Sequence, residues 1–295
     1  MIMFTHTGNC VLFSHVSCFI RRLQHFHIVC GDKARKFLLA VEEGYSPNPF
    51  HNFFHGVSVL HVAFLMLLRT VATETLDSNE VTAILISSLC HDIAHPGHNN
   101  DFEINSSSQR ALLYNDISVL ENHHAAYTFK LLQNDSQDIF SDYEQAARKV
   151  IRKAIIACIL ATDMTHHFDM TKAVQGLQDR DSPTADSEFW MKLIVHAADI
   201  SNPVLPNFQV VKQWANMITV EFSNQCNSEK ELGLPFAPFM DGLDNDVAIA
   251  KLQVGFLTYV VGPLWKAIGE MDEGVANCFS NLQANRDKWK ELSSV

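Results

Sequence analysis

The chain lacks several features that would place it in other protein classes. Lysine and arginine number 22 against 33 acidic residues, giving a formal charge of −11, so a nucleic-acid-binding surface is not expected. Its seven cysteines form no CxxC pair, and this irregular spacing predicts reduced, mostly buried thiols in a cytoplasmic protein. Internal repeats and low-complexity tracts are also missing from the sequence.

The sequence also lacks a convincing membrane span. Its most apolar helical stretch, Val57–Ala72, is interrupted by His61 and Arg69 and is shorter than the ~20 residues that a transmembrane helix needs. Near the N-terminus, Arg21 and Arg22 follow an apolar run rather than precede it, which is the wrong order for a secretory signal. We therefore expect no membrane-spanning segment.

Sustained alternation of apolar and polar residues, the usual pattern of strands, is absent too. Apolar residues recur instead at helical spacing in the segments Val57–Thr75, Glu80–Leu89, Glu121–Leu132, Tyr143–Leu160, Ser187–Val195, Gln209–Gln225 and Ala248–Ile268. The lack of strands argues against a Rossmann-like or barrel fold. We expect an all-α fold, with a single compact multi-helix domain over residues 31–295 and an irregular extension over residues 1–30.

Histidine, by contrast, is abundant, with 15 residues. His91 and Asp92 directly follow an apolar run and offer an imidazole nitrogen and a carboxylate oxygen to a divalent metal at one point. Three more segments combine histidine with other polar ligands: His51–His55, Glu121–His124 and His196–Asp199. Because apolar helices can aim their ends at a common centre, these segments indicate a metal-dependent hydrolase.

The residue types in these segments suit particular metals. The ligand set His55, His91, Asp92 and Asp199 provides two imidazoles and two carboxylates, which fit a zinc-like ion. A second, harder ion such as Mg²⁺ or Mn²⁺ could be held by Asp92 and waters. Two such ions ~3.5–4 Å apart would clamp a phosphate and generate hydroxide near neutral pH.

Further polar residues are candidates for orienting the ligands and holding bound waters. They are His95, Glu121, His124 and Thr162. Glu121 is the strongest of them, because a carboxylate in a mostly apolar helix is costly to bury without a partner. Thr162 taken alone fits a satisfied core hydroxyl equally well.

A glutamine in an apolar helix predicts a site for a base. Gln253 offers both a donor and an acceptor, which suits the edge of a purine. Phe256 lies three residues further on, on the same helix face, where its ring could stack on a base. A surface glutamine and a core phenylalanine would explain the same pattern.

The segments above, and others around them, resemble the catalytic domain of class I 3′,5′-cyclic nucleotide phosphodiesterases. The likeness runs from about Gly44 to Lys290 and rests on FHNFFH, HDIAHPGHNN, YNDISVLENHH, ILATDM, HAADISNP, LPFAPFMD and LQVGF. The ordered ligand set is also the H…HD…D signature of a wider helical phosphohydrolase superfamily. The resemblance implies hydrolysis of cAMP, cGMP or both to the 5′-monophosphate, with a two-metal site at converging helix ends.

The resemblance also implies roles for individual residues. His51 would be the general acid that protonates the leaving O3′, and Glu121 would support it. The metal ligands would be His55, His91, Asp92 and Asp199, with Asp92 contacting both ions. The groups around the metal-bound waters and the phosphate would be His95, His124 and Thr162.

The base pocket is implied by the same comparison of motifs. Gln253 would hydrogen-bond the purine, and Phe256 and Ile218 would clamp it between apolar surfaces. Asn202 would line the same pocket. Two departures from the family pattern stand out: Ala94 occupies a position that is usually acidic, and Phe50 replaces a common tyrosine.

Other functions stay open at this point. A nucleotide 5′-phosphohydrolase of the wider superfamily is one alternative, and a catalytically inactive module that senses cyclic nucleotide is another. The glutamine at 253 does not choose between adenine and guanine, because its amide can rotate; LPFAPFMD and NPFHNF lean toward the cGMP-preferring branch. A cyclic nucleotide is the expected small-molecule partner, and a homodimer is left open.

Overall fold

The computed structural model describes residues 31–70, 74–177 and 186–294. Within these ranges the chain forms thirteen α-helices and no strand, which confirms the all-α prediction. The helices are α1 (Asp32–Gly44), α2 (Phe53–Arg69), α3 (Ser78–Cys90), α4 (Asn100–Asn105), α5 (Gln109–Tyr114), α6 (Val119–Leu132), α7 (Gln145–Leu160), α8 (His167–Leu177), α9 (Ser187–Asp199), α10 (Phe208–Leu232), α11 (Asp246–Phe256), α12 (Gly262–Met271) and α13 (Ala276–Ser293). The predicted extension over residues 1–30 lies outside the described residues, and its boundary stays a prediction.

Capping side chains fix where several helices begin. At the start of α3, Asp77 accepts the N–H of Glu80, while the Glu80 carboxylate accepts the N–H of Asp77, which is a capping box. Asp186 caps α9 and Asn207 caps α10 through similar side-chain bonds. Such caps satisfy backbone N–H groups that a helix start leaves unpaired, and each contributes about 1 kcal/mol.

The central helix of the domain is α3. Every residue from Val81 to Cys90 is buried, and α3 packs against α2, α7 and α9. A helix enclosed by others must be apolar on all sides, and this one is largely so. His91 and Asp92 directly follow it, so they emerge in the interior of the domain rather than at its surface.

A glycine allows α2 to approach the end of α3 closely. A side chain at Gly56 would place its Cβ 2.9 Å from Leu89 O and 2.7 Å from Tyr45 Oη. The Tyr45 hydroxyl donates to Leu89 O at 2.8 Å, so it fastens this contact. Because Gly56 follows His55 and Leu89 precedes His91 by two residues, the close approach brings the two histidines together.

A π turn, Leu257–Val261, joins α11 and α12 without a break. The sequence predicts one helix over Ala248–Ile268, and the structure confirms the helix but adds this wider turn. Pro263 offers no N–H, so Tyr259 O cannot receive the usual α-helical bond. Turns of this type are frequent at functional sites, and this one follows the candidate base-binding residues.

By length and composition alone, the combined helix Asp246–Met271 could cross a membrane. Its apolar window is 33% buried, and Leu257, Val261 and Trp265 belong to the hydrophobic core. Core helices of other folded domains meet the same criterion. The apolar stretch noted in the sequence, by contrast, forms the shorter helix α2.

The cysteines of the described residues are all free thiols. Cys90, Cys158 and Cys226 are buried, and Cys278 is partly buried. Burial raises the pKa of the Cys90 and Cys158 thiols to about 12, so both stay protonated and unreactive near neutral pH. This agrees with the prediction of reduced, buried thiols for these four positions; the other three lie outside the described residues.

Candidate metal centre and active site

Four side chains from three helices converge on one point. His55 lies in the first turn of α2, His91 and Asp92 follow α3, and Asp199 ends α9. The Nε2 atom of His55 is 3.0 Å from Asp199 Oδ1 and 3.2 Å from His91 Nε2. Asp92 Oδ2 is 2.9 Å from His91 Nε2. Ligands bound ~2.0–2.1 Å from one zinc ion lie ~3.3 Å apart, so this spacing suits a single metal.

The Nε2 atoms of both histidines face the cluster, and a hydrogen bond fixes the tautomer of one of them. His91 Nδ1 lies 3.0 Å from the acceptor Ser88 O, which places the proton on Nδ1 and the lone pair on Nε2. His55 is 1% exposed, and its Nδ1 is a buried atom without a hydrogen-bond partner. Two ring nitrogens 3.2 Å apart repel each other unless a cation or a proton lies near both, so the donor set fits a divalent metal.

Charge at this cluster also favours a cation. Burial alone would raise the pKa of Asp92 and of Asp199, but the imidazole of His91 holds the pKa of both carboxyls well below the usual range. Conversely, the two carboxylates raise the pKa of His91 despite its burial. His91 and the two carboxylates therefore favour one another's charged forms, and a bound metal would displace the proton that His91 carries without it.

His51 is supported by Glu221, which corrects the prediction that Glu121 supports it. His51 Nδ1 contacts Glu221 Oε1, and Glu221 Oε2 accepts the N–H groups of Phe50 and His51 at 2.9 and 3.1 Å. Burial alone would lower the pKa of His51, but Asp92 and the Glu221 contact outweigh it and raise that pKa. His51 is thus favoured as an imidazolium, which is the form a general acid needs.

Glu121 has a different partner. The side-chain amide of Asn100 donates to both of its oxygens, at 3.2 and 3.0 Å, and Asn100 Oδ1 accepts the N–H of Leu120 at 2.9 Å. Burial raises the pKa of Glu121 to about 7. The carboxyl therefore lies in a neutral amide environment, and it titrates near physiological pH instead of stabilising a charged His51.

His95 and His124 present opposite hydrogen-bonding characters. Gly97 N donates to His95 Nδ1 at 3.0 Å, so the His95 proton lies on Nε2. His124 Nδ1 lies 2.6 Å from Ile93 O, so its proton lies on Nδ1 and its Nε2 is an acceptor. Burial lowers the pKa of both rings, to about 4 for His124, which keeps them neutral.

These histidines lie beside the metal cluster. His124 Nε2 is 3.7 Å from Asp92 Oδ1, and ligand atoms of Asp92, His95 and His124 lie within 4.8 Å of one another. The ring of His51 stacks on that of His95, with centroids 4.0 Å apart. The predicted metal ligands, the predicted general acid and two predicted water-holding groups therefore form one continuous cluster.

In the described part of the chain, no hydrogen bond, ion pair or ring contact joins the remaining predicted residues to this cluster. Gln253 and Asn202 are buried, at 6% and 8% exposure, whereas Phe256 and Ile218 are half-buried. The Thr162 hydroxyl donates to Ile159 O at 2.7 Å, which is a bond within the end of α7. Their roles in substrate binding stay predictions.

Glu221 is the functional candidate that the sequence reasoning missed. Its helix, α10, carries a row of buried polar residues at four-residue spacing: Glu221, Gln225 and Glu229. Polar side chains at helical spacing on a buried face require partners in the fold, and this row was the available signal. Gln225 donates to Glu229 and to Asn99. The buried polar row therefore extends from the Glu221 contact with His51 to the loop that follows His95.

The titration of Glu121 predicts a pH-dependent gain in stability on substitution. Its folded pKa is raised above that of an unfolded glutamate, so the folded state loses stability as pH rises from about 4.5 to about 7. In metal-free protein, Glu121→Gln should therefore raise the free energy of unfolding at pH 8 by about 1–3 kcal/mol. The gain should shrink at pH 5.

Urea unfolding at both pH values measures this difference. The exposed carboxylate of Glu231 provides a control, since Glu231→Gln should change stability little at either pH. An equal effect of Glu121→Gln at pH 8 and pH 5 would show that the Glu121 carboxyl is not titrating in this range.

The family described as 3'5'-cyclic nucleotide phosphodiesterase matches residues 50–282. The dual specificity calcium/calmodulin-dependent 3',5'-cyclic nucleotide phosphodiesterase 1 of Drosophila melanogaster is 38% identical over 239 residues, covering 80% of this chain and 28% of that protein. The high affinity cGMP-specific 3',5'-cyclic phosphodiesterase 9A of Homo sapiens is 34% identical over 264 residues, covering 88% and 44% respectively.

Among solved structures, the phosphodiesterase domain of the RhoPDE fusion protein from the choanoflagellate Salpingoeca rosetta superimposes with a TM-score of 0.89. It is 34% identical and covers 93% of this chain and 89% of that domain. The chain belongs to the 3'5'-cyclic nucleotide phosphodiesterase family. It spans 28% to 44% of the length of the two curated relatives named above.

Proposed function

We propose that this protein hydrolyses purine nucleoside 3′,5′-cyclic monophosphates to the 5′-monophosphates and so terminates cyclic nucleotide signalling. The observation that carries this proposal is the convergence of His55, His91, Asp92 and Asp199 beside His51 in a chain of this family. The two relatives named above are both described as phosphodiesterases of cyclic nucleotides. Parallel assays of cyclic and linear nucleotides test the proposal, because a 5′-phosphohydrolase would prefer the linear ones.

The metal identities are part of the proposal. The four-ligand cluster suits Zn²⁺, and Asp92, whose Oδ1 faces His124, is suited to contact a second ion, Mg²⁺ or Mn²⁺. When bound, such metals would neutralise charge on the phosphate and supply a water nucleophile. An inactive module that only senses cyclic nucleotide would lack turnover with metal bound, which metal analysis and activity together distinguish.

The chain's own residues divide the proton transfers between them. His51, charged and held through Nδ1 by Glu221, donates its Nε2 proton to the leaving O3′. His95 offers an Nε2–H donor suited to a phosphate oxygen. His124 offers an Nε2 acceptor that can orient a water. Two neutral rings of opposite polarity thus hold the reacting groups in one orientation.

The base is assigned to a second group of residues, outside the metal cluster. Gln253 would bond the purine edge, Phe256 and Ile218 would hold its faces, and Asn202 would line the pocket. Thr162 would bind on the phosphate side, near the metal-bound waters. The two curated relatives have names that differ in base specificity, so the preference between cAMP and cGMP is settled by comparing kcat/KM for the two. We further propose a cytoplasmic location, and a homodimer remains to be tested by sedimentation.

The base pocket leads to a prediction about Gln253. Gln253→Ala should raise KM for both cAMP and cGMP, because the base edge loses its partner in a buried site at a cost of roughly 1–3 kcal/mol. Hydrolysis of bis(p-nitrophenyl) phosphate, which has no base, should stay nearly unchanged. Exposed Gln213 provides a control variant, Gln213→Ala. Unaltered kcat/KM for both nucleotides in Gln253→Ala would remove this residue from the pocket.

Ala94 has a backbone conformation that suits other residues better. Its φ is 61°, in the left-handed region that Asn, Asp and Gly adopt more readily than alanine. Its N–H donates to Gly44 O at 3.0 Å, which holds it there. Because the residue lies between Asp92 and His95, a carboxylate at this position would add negative charge near the second metal.

We therefore predict that Ala94→Asp lowers the Mg²⁺ or Mn²⁺ concentration needed for half-maximal rate, by about 10-fold. Ala94→Asn is the matched control, since it has the same shape and backbone preference without the charge. Both variants should be slightly more stable than the parent, but only Ala94→Asp should shift the metal-activation curve. Equal curves for Ala94→Asp and Ala94→Asn would contradict the role of charge.

A further inference from the structure

Two fully buried histidines lie outside the cluster described above. His196 is on α9, three residues before Asp199, and His167 begins α8; both are 0% exposed. His196 Nδ1 is 2.9 Å from Ala161 O, and its Nε2 is 2.9 Å from His167 Nδ1. His167 Nε2 is 3.1 Å from Val260 O. The two rings therefore form a continuous hydrogen-bonded chain between two backbone carbonyls.

This row of hydrogen bonds connects two segments to which the proposed function assigns substrate contacts. Ala161 directly precedes Thr162 at the end of α7, on the phosphate side of the proposed site. Val260 lies in the π turn, four residues after Phe256, on the base side. The histidine pair is thus a direct physical link between the segments that carry the two groups of substrate-binding residues.

The number of protons limits which of these bonds can form together. Both ends of the chain are carbonyl acceptors, so its three hydrogen bonds require three ring protons. Burial lowers the pKa of both rings, to about 4 for His196, although Asp199 opposes this. Near neutral pH the pair is therefore uncharged and carries only two protons.

Two arrangements keep the bond between the rings. With both protons on Nδ1, His196 donates to Ala161 O, and Val260 O receives nothing from His167. With both protons on Nε2, His167 donates to Val260 O, and Ala161 O receives nothing from His196. The pair therefore donates a hydrogen bond either to Ala161 O in the phosphate-side segment or to Val260 O in the π turn. A shift of protons along the two rings changes one arrangement into the other.

The π turn is a part of the fold that gains from such a donor. Pro263 supplies no N–H to it, and Gly262 N donates to Leu257 O across the wider π spacing. A Cβ at Gly262 would lie 2.5 Å from Leu257 O, so no other residue fits there without a shift. Pro263 thus removes one backbone donor from this turn, and α8, which packs against α12, can supply another through His167.

We propose that His167 is a positioning residue for the base pocket. By donating to Val260 O it fixes the π turn, and through the turn it sets the position of Phe256 and Gln253 at the end of α11. The same proton shift moves the hydrogen bond between Val260 O and Ala161 O. Whether His167 donates to Val260 O therefore depends on the phosphate-side segment that contains Ala161. The proposal rests on the function proposed above, since the pocket it positions is the one assigned to the purine.

Steady-state kinetics of His167→Phe test this. Phenylalanine keeps a ring of similar size and removes both nitrogens. We expect KM for cAMP and cGMP to rise about fivefold, as for a partly buried carbonyl that loses a hydrogen-bond donor, with kcat within about twofold. Hydrolysis of bis(p-nitrophenyl) phosphate should not change. The exposed neighbour His166 gives the control His166→Phe, which should match the parent, and His167→Gln, which retains a donor, should recover part of the loss.

Unchanged KM in a folded His167→Phe protein would overturn the proposal. So would an equal loss of activity toward the nucleotides and the base-free diester, since that is the result of a purely structural role. Absence of cyclic nucleotide turnover in the parent protein would instead reject the proposed function, so the two failures are distinguishable.

A measurement on the unaltered protein keeps the test independent of folding in the variants. In ¹⁵N-histidine-labelled metal-loaded protein, the ¹⁵N shifts of His167 report which ring nitrogen carries the proton. Adding 5′-AMP, a product of the proposed reaction, should move that proton toward Nε2 as the base pocket is filled. Identical His167 shifts with and without saturating 5′-AMP would contradict the exchange.

Discussion

Asp199→Ala is expected to abolish turnover and to lower the divalent metal content of the purified protein. Asp199 Oδ1 lies 3.0 and 3.1 Å from the Nε2 atoms of His55 and His91, so it closes the ligand set on the side of α9. Removing it leaves Asp92 as the remaining carboxylate beside the two imidazoles. Losing a direct ligand should exceed the 10–100-fold effect that is typical of groups behind the ligands.

The opposite end of the same helix offers a matched control. Asp186 caps α9 by accepting the N–H of Phe189 at 2.8 Å, far from the cluster. Asp186→Ala should cost about 1 kcal/mol of stability and leave metal content and kcat/KM unchanged. Metal analysis and assays before and after dialysis against a chelator complete the test. Full activity in Asp199→Ala, or after exhaustive chelation, would reject the metal-dependent mechanism.

The candidate metal cluster could be predicted because each member lies at one end of an apolar helix. The end of a buried helix lies in the interior, so His91 and Asp92 after α3 had to face neighbouring helices. Polar ligands there require partners, and metal binding is the arrangement that uses all four. The residue types of the cluster could therefore be predicted from the sequence. The distances between them could not, because they depend on the close approach of α2 and α3 at Gly56.

The partner of His51 could not be predicted in the same way. Glu221 is 170 residues distant in sequence, and its contact depends on where the middle of α10 crosses the loop before α2. Glu121 was the more visible carboxylate because histidines follow it, but α6 begins at Val119 and Asn100 occupies both oxygens of Glu121. Proximity of polar residues along the chain was a poor guide to proximity in space.

The helices likewise fall into those that the sequence periodicity predicts and those that it does not. The long apolar helices were predicted, although α2 ends at Arg69 instead of Thr75 and α10 continues to Leu232 instead of ending at Gln225. By contrast, the sequence did not predict α1, α4, α5, α8 and α13. Two of these, α4 and α5, have six residues each, too few to show a period, and α13 is largely polar. Such helices are defined by the neighbours they pack against rather than by their own periodicity.

His51→Ala is expected to lower kcat by about 10²–10⁴-fold, the usual range for a general acid, without loss of metal. His51 is not one of the four converging ligands: its Nδ1 is engaged by Glu221, so its removal leaves His55, His91, Asp92 and Asp199 in place. A phosphodiester with a p-nitrophenolate leaving group, which needs no proton, should be affected much less. Loss of metal together with activity would make His51 a ligand instead.

Glu221→Gln separates support of the acid from the acid itself. The glutamine keeps the size of the side chain and removes the charge that, with Asp92, raises the pKa of His51. His51 must be protonated to act, so a lower pKa should move the alkaline limb of kcat/KM to lower pH while leaving part of the rate at acidic pH. Glu121→Gln lacks contact with His51 and should leave that limb in place. If Glu121→Gln moves the limb and Glu221→Gln does not, the carboxylate behind the acid has been assigned to the wrong residue.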